Sequence, residues 1–209
     1  MSIRNLVLSV ATVALFAGCS PESVDIEVSS SDIAAARAGS VGYAQVKAVY
    51  SCSGDDAKSK FPSIKKTTLP YLGAGSKMVL KDDNIIATFK VPVVSSANFN
   101  SIANKAVAAL VLDGEKLTFK STSYLKSLNR ELNSIDSSME ADFKAKHMTF
   151  SVSSDSDGFE VGAIAAFVDS KAYLNYTAKL ANGESTDIDF RCSSDESVYH
   201  TLDPFIIVK

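Results

Sequence analysis

The chain has 209 residues and a formal net charge of -3, with 46% hydrophobic and 22% charged residues. These proportions are typical of a globular protein and argue against a disordered or fibrous chain. The slightly acidic balance argues against a nucleic-acid partner, because such an interface needs clustered Lys and Arg. The two His and three Cys show no metal-type clustering, so we expect no metal and no cofactor.

Residues 1–18 have the features of a secretory signal peptide. Arg4 supplies a positive charge, an apolar run extends from Leu6 to Phe16, and the small residues Ala17 and Gly18 follow. The run is too short for a transmembrane helix, which needs about 20 apolar residues. The alternative for this segment is a buried N-terminal helix.

The junction Leu15-Phe16-Ala17-Gly18-Cys19 resembles the lipobox of bacterial lipoprotein precursors. The resemblance implies that Cys19 is lipidated and becomes the first mature residue, with residues 19–23 as a short tether. Ser20 after the cysteine implies sorting to the outer membrane, with the protein facing the periplasm. The expected partners are therefore the membrane, through the lipid anchor, and an envelope protein or lipid.

The two remaining cysteines are an even pair in an oxidising compartment. They predict a disulfide between Cys52 and Cys192, the alternative being two buried free thiols. Such a bridge would tie the start of the mature chain to its end, and so favours a single domain over residues 24–209.

The first half of the mature chain predicts strands, short helices and two hairpins. Pro and Gly residues predict an irregular segment over 54–75 with only short helical turns. Ser96 is expected to begin an amphipathic helix that extends to about Leu110, and Pro92 indicates a strand edge or end. Strands are predicted at 24–28, 43–50, 77–81, 85–94, 110–112 and 116–119, and a short helix at 33–37.

The second half predicts the longest helix, beginning near Ser123, and then a series of strands. The helix carries an apolar stripe of Leu125, Leu128, Leu132, Ile135, Met139 and Phe143. Packing across a sheet is favoured for this stripe, and a coiled-coil or partner helix is the alternative. Strands are predicted at 148–153, 159–168, 172–180, 186–192 and 205–208, with a short helix at 195–202.

The turn clusters between the strands of the last third favour an antiparallel meander. The expected fold class is therefore α+β: a mainly antiparallel twisted sheet with one or two amphipathic helices on a face, and one disulfide.

No catalytic constellation is recognisable, so we expect a protein that is not an enzyme. There is no Gly-x-Ser-x-Gly motif, and His147 and His200 are each best explained as structural residues. The acidic residues Asp155, Asp157, Glu160 and Asp187 leave open a carboxylate-dependent hydrolase. For the cluster at 155–160, a hairpin turn is favoured over a calcium site.

One basic cluster is the candidate contact surface, because long loops with aromatic residues often bind partners. A solvated loop face is the alternative for this cluster, and contact with anionic lipid head groups is the functional interpretation. Its residues are Lys58, Lys60, Phe61, Lys65, Lys66 and Tyr71.

We expect a membrane-anchored envelope lipoprotein that acts as a non-enzymatic binding or interaction module. The order of features after the lipobox, through the strand Ile86-Ala87-Thr88-Phe89-Lys90-Val91-Pro92-Val93, is similar to small uncharacterised lipoproteins of bacteria and their prophages. That resemblance implies no known activity. The alternative is a small carrier of apolar ligands such as lipids, with the long helix closing a pocket over the sheet.

Overall fold

The computed structural model describes residues 21–51, 55–137, 139–191 and 204–209. These residues contain eleven strands, four α-helices and one 3-10 turn. The strands are β1 (Ser23–Ser29), β2 (Gly42–Ser51), β3 (Lys77–Lys81), β4 (Asn84–Ser95), β5 (Ala108–Asp113), β6 (Lys116–Ser121), β7 (His147–Ser153), β8 (Phe159–Val168), β9 (Lys171–Leu180), β10 (Ser185–Arg191) and β11 (Phe205–Val208). The helices are α1 (Ser30–Arg37), α2 (Asp55–Leu72), α3 (Phe99–Ile102) and α4 (Ser123–Ile135), and the 3-10 turn is Ser96–Asn98.

Nine of these strands form a closed ring. The order is β10-β7-β1-β2-β4-β5-β6-β11-β8, and β8 pairs with β10 to close it. In the described part of the chain β3 pairs with β4 and β9 with β8, so both lie outside the ring. The architecture is a mixed β-barrel with two additional strands. The predicted α+β fold, with an antiparallel twisted sheet and helices on one face, is therefore wrong.

Two ladders of the ring are parallel, which local sequence patterns do not reveal. β1 pairs with β7 from Ser23↔His147 to Ser29↔Ser153, and β4 pairs with β5 over three register partners. Both pairs are separated by long crossover connections, as parallel pairing requires. These ladders between strands that are distant in the chain join the separate hairpins into one barrel.

Alternate residues of the strands fill the interior of the barrel. In β1, Val24, Ile26 and Val28 are buried whereas Glu27 is exposed. Across the next ladder, Val46 of β2 and Phe89 of β4 are register partners, and both are buried. In β1 and β2 the period of two therefore separates the continuous apolar core from an outer polar face, whereas β5 is buried at five consecutive residues.

α1 covers the end of the barrel at which β1 ends and β2 begins. The Ser29 hydroxyl caps the helix by accepting a hydrogen bond from the Asp32 amide at 3.2 Å. Ile33 and Ala36 are buried in the core on its inner face. The predicted short helix is confirmed, as is the strand on either side of it.

α2 replaces the irregular segment predicted for residues 54–75. The prolines Pro62 and Pro70 lie inside this 18-residue helix. An interior proline costs a helix about 3 kcal/mol. Ile64, Thr68 and Leu72, four residues apart on one face, are all buried. Because tertiary burial of this face offsets the proline cost, the prediction was wrong.

Two further helix predictions require correction. The helix expected from Ser96 to about Leu110 consists only of the 3-10 turn and the four-residue α3, because residues from Ala108 onward pair with β4 and β6. α4 ends at Ile135 and is shorter than α2. The predicted packing of α4 across a sheet is wrong, because α4 packs against α2 with Leu128 buried in the core. The remaining stripe residues Met139 and Phe143 are buried but lie beyond the helix.

The predicted hairpins are confirmed, and the meander is wrong. β3–β4 turns at Asp82 and Asp83, which both have positive φ, and β5–β6 turns at Gly114. The four strands of the last third exist as predicted, but β10 pairs with β7 and β8 rather than with β9. Ala165, with φ 53°, interrupts β8 between the stretch paired with β11 and the stretch paired with β10.

The predicted disulfide involves Cys52 and Cys192, which lie outside the described residues. It therefore stays a prediction.

Candidate ligand-binding site

A cavity lies where α2 and α4 cover the end of the barrel opposite α1. Because β2 is antiparallel to β1, the end of β2 from which the chain continues toward α2 is opposite the end covered by α1. α2 packs against α4 and β3 there. The volume of this cavity is about 70 Å³. The lining residues are Tyr50, Ile64, Thr68, Leu72, Met78, Ile85, Ala87, Phe89, Leu128, Leu132, Met139, Glu140, Ala141 and Phe143.

The periodicity of each element directs its residues into the cavity. Ile85, Ala87 and Phe89 alternate along β4 and face the interior. Leu128 and Leu132 lie one helical turn apart on α4. Alternate residues of the strand and residues one turn apart on the helix therefore face the same space, and its surface is almost entirely apolar.

Phe143 lines the cavity and packs against two other phenylalanine rings. Its ring lies 5.7 Å from the ring of Phe89 and 5.7 Å from that of Phe119, centroid to centroid, with an edge-to-face arrangement in the second pair. Such pairs add about 0.5–1.5 kcal/mol beyond area burial. The inner boundary of the cavity is therefore a packed aromatic cluster.

The residues that follow α4 are held over the cavity by hydrogen bonds. The Asn129 side chain donates to the Ala141 carbonyl at 2.9 Å and accepts from the Ala141 amide at 2.8 Å. The Tyr50 hydroxyl donates to the Asp142 carbonyl at 2.9 Å. Burial raises the pKa of Tyr50 above its usual range, with a smaller contribution from Asp142. Tyr50 therefore remains a neutral hydrogen-bond donor across the ordinary pH range.

Thr68 places a polar atom in this apolar space. Thr68 is 7% exposed, and its hydroxyl has no hydrogen-bond partner among the residues that the structure describes. An unpaired buried hydroxyl costs about 1–3 kcal/mol. Buried polar groups are normally satisfied by protein, water or ligand. The hydroxyl is therefore available to a polar atom that enters the cavity.

The predicted contact residues all lie on α2, but several are engaged in intramolecular contacts. Lys58 forms a salt bridge with Asp83 at 2.7 Å, and Lys60 forms one with Asp136 at 2.7 Å. These pairs connect the exposed side of α2 to the β3–β4 turn and to the residue after α4. They position α2 over the barrel.

The other contact candidates are divided between surface and core. Phe61 packs partly against the core, and the Lys65 ammonium lies 5.9 Å from its ring centroid. Lys66 is exposed. Tyr71 donates a hydrogen bond to Glu131, which raises the pKa of Tyr71 to about 12. The Tyr71 ring also lies 4.8 Å from that of Tyr124.

The candidate catalytic carboxylates each have a structural partner. Asp155 accepts hydrogen bonds from the Ser31 hydroxyl and amide, which lower the pKa of Asp155. Asp157 accepts from the Asn182 amide at 2.9 Å. Glu160 pairs with Lys209 at 3.1 Å, and Asp187 accepts from the Ser151 hydroxyl at 2.7 Å. Each therefore has an evident role in holding turns or strands.

The described residues contain no group of three or more His, Cys, Asp or Glu side chains arranged to hold a metal ion. His147 is exposed at the first position of β7. Cys19 and His200 lie outside the described residues.

The sequence predicted a pocket under the long helix only as an alternative. Its lining residues could not be identified because they are dispersed over α2, α4, the segment after α4 and three strands. The available signal was the spacing of Ile64, Thr68 and Leu72, which marks one helical face despite the prolines between them.

The chain matches no known protein family, no curated protein and no solved structure. Among the helices that the structure describes, none has the length and apolar character needed to cross a membrane.

Proposed function

We propose that the protein is an envelope lipoprotein, anchored through Cys19, whose barrel binds the alkyl chain of a small amphipathic molecule. The observation that carries the proposal is the apolar cavity between α2, α4 and the barrel, with the unpaired Thr68 hydroxyl inside it. This corresponds to the small carrier of apolar ligands that the sequence left open as the alternative to an interaction module.

The lining of the cavity favours an apolar ligand. Alkyl groups gain about 0.8 kcal/mol for each CH₂ removed from water. Small-ligand sites are typically apolar spaces with a few polar groups that fix orientation. Ile85, Phe89 and Leu128 supply apolar surface, and Thr68 supplies an unpaired hydroxyl.

The size of the cavity favours a slender ligand. Barrels of about eight strands are just wide enough to be filled by side chains or to hold one small ligand. An apolar cavity of about 150 Å³ admits benzene. The 70 Å³ found here is therefore suited to the end of one alkyl chain rather than to a ring system.

Titration with 1-decanol tests the proposal directly. We expect purified full-length protein to bind 1-decanol with saturable heat in calorimetry, and native mass spectrometry to detect a co-purified amphiphile. Ala87→Leu projects extra methyl groups into the cavity and should reduce affinity at least tenfold. Ala34→Leu adds the same group at an exposed position of α1 and is the matched control.

Two results would contradict the proposal. One is the absence of both saturable heat and a co-purified ligand in the wild-type protein. The other is an equal loss of affinity in Ala87→Leu and Ala34→Leu, since Ala87 lines the cavity and Ala34 does not.

A further inference from the structure

The wall of the barrel has a gap along one edge of β4. On this edge β4 pairs with β3 through Thr88 and with β5 only from Val93. Among the described residues, positions 89–92 therefore have no strand partner on that side. Pro92, which lacks an amide hydrogen, lies in this stretch, in agreement with the strand edge expected from the sequence.

A cleft of about 260 Å³ occupies this gap. Its floor includes Val91, Pro92 and Val107, and the end of α2 forms one side. Leu72 lines both this cleft and the apolar cavity between α2, α4 and the barrel, which we call the alkyl cavity. The two spaces therefore adjoin at a single side chain.

Two lysines give the cleft its charge. Lys90 extends outward from β4, between the buried Phe89 and Val91, and Lys105 follows α3. Both side chains are exposed and line the cleft. Neither forms a salt bridge with a residue in the described part of the chain, and no Asp or Glu is among the described residues that line the cleft.

We infer that Lys90 and Lys105 bind the carboxylate of a single-chain anionic amphiphile whose alkyl chain passes Leu72 into the cavity. This inference rests on the proposed function and adds the charge of the ligand and its route of access. The ammonium groups attract the carboxylate electrostatically, while the alkyl chain leaves water along Val91, Leu72 and Phe89. Neutral and cationic amphiphiles of the same length lose this attraction.

Three ligands of equal chain length test the inference: decanoate, 1-decanol and decyltrimethylammonium, each below its micellar concentration. We expect wild-type protein to bind decanoate at least fivefold more tightly than 1-decanol, and decyltrimethylammonium most weakly. Exposed ion pairs contribute modestly, so K90Q/K105Q should weaken decanoate binding by about tenfold. The affinity for 1-decanol should remain unchanged. Lys171→Gln, at an exposed position on β9, is the matched control.

The outcomes separate the inference from the proposed function. If decanoate and 1-decanol bind equally and K90Q/K105Q changes neither, the alkyl cavity stands and the lysine site is refuted. If K90Q/K105Q weakens the binding of decanoate and 1-decanol equally, or if Lys171→Gln reproduces its effect, the two lysines do not bind the carboxylate and the inference fails. If none of the three ligands binds, the proposed function fails and the inference fails with it.

Discussion

The hydroxyl of Tyr50, at the end of β2, donates a hydrogen bond to the backbone carbonyl of Asp142, 92 residues later in the chain. This contact fixes the segment after α4 across the mouth of the barrel. Asn129 holds the adjacent Ala141 by two further hydrogen bonds. Side-chain hydrogen bonds therefore hold the backbone segment that forms this side of the cavity.

Tyr50→Phe should lower the free energy of unfolding by about 1–3 kcal/mol, because it removes a hydrogen bond and leaves a partly buried carbonyl without this donor. Urea denaturation measures the change. Tyr43→Phe removes a hydroxyl from a residue that is 57% exposed and should have little effect. Equal effects of the two substitutions would contradict the structural role of Tyr50.

Thr68→Val should stabilise the ligand-free protein by about 1 kcal/mol, because it replaces an unpaired buried hydroxyl with a methyl group of similar size. Thr67→Val, at the neighbouring and more exposed position on α2, controls for helix propensity. The urea midpoints of the two variants give the comparison. A loss of stability in Thr68→Val would show that the hydroxyl has a partner.

Leu128→Ala should destabilise the protein by about 2–5 kcal/mol, since Leu128 is 1% exposed and its removal enlarges the space under α4. Leu174→Ala, at a residue of β9 that is 83% exposed, should change stability by no more than about 0.5 kcal/mol. Thermal and urea unfolding measure both. Similar values for the two variants would contradict the placement of α4.

Pro62→Ala should stabilise the protein by about 2 kcal/mol. An interior proline costs a helix about 3 kcal/mol relative to alanine. The greater freedom of the unfolded chain removes about 0.4–1 kcal/mol of that gain. Pro92 lies in strand β4, where the cost of a proline inside a helix does not apply, so Pro92→Ala should not show the same gain in stability. Unchanged stability and helical circular dichroism in Pro62→Ala would contradict the continuity of α2.

Asp155→Asn should lower stability near neutral pH, because the Ser31 hydroxyl and amide donate to the charged carboxylate and lower its pKa. The folded carboxyl therefore binds protons less readily than the unfolded one. Its contribution is complete above the ordinary value of 3.8 and disappears as the pH falls through the lowered pKa. Urea midpoints measured between pH 7 and pH 2 should converge for wild type and variant. A constant difference across this range would exclude the linkage.

Local chemistry accounts for the features that the sequence predicted correctly. The β3–β4 turn needs positive φ at Asp82 and Asp83, and the β5–β6 turn needs it at Gly114. These residue types tolerate that conformation, so the turns could be located without a structure. The period of two in strands such as β1 and β2 likewise depends only on neighbouring residues.

Barrel closure could not be predicted in the same way. A strand that lines a barrel and one that covers a sheet show the same alternation. The β1–β7 and β8–β10 ladders join residues that are far apart in the chain. For α2, the prolines predicted a break, whereas burial of Ile64, Thr68 and Leu72 maintains the helix.

The same distinction applies to the candidate site. The sequence emphasised charged and aromatic residues on α2 such as Lys58 and Tyr71, which in the structure contact Asp83 and Glu131. The cavity behind that helix consists of ordinary apolar residues with no motif of their own. Its position depends on how α2, α4 and β4 pack together.

The hairpins, nearly all of the strands, α1 and the start of α4 could be predicted from the sequence, because they follow from turn residues, caps and periodicity within a few positions. The closure of the strands into a barrel and the position of Thr68 at an apolar cavity depend on the three-dimensional packing. The same is true of Lys90 and Lys105, which border the same gap. Each of these properties requires contacts between residues distant in the chain, whose individual patterns are compatible with several packings.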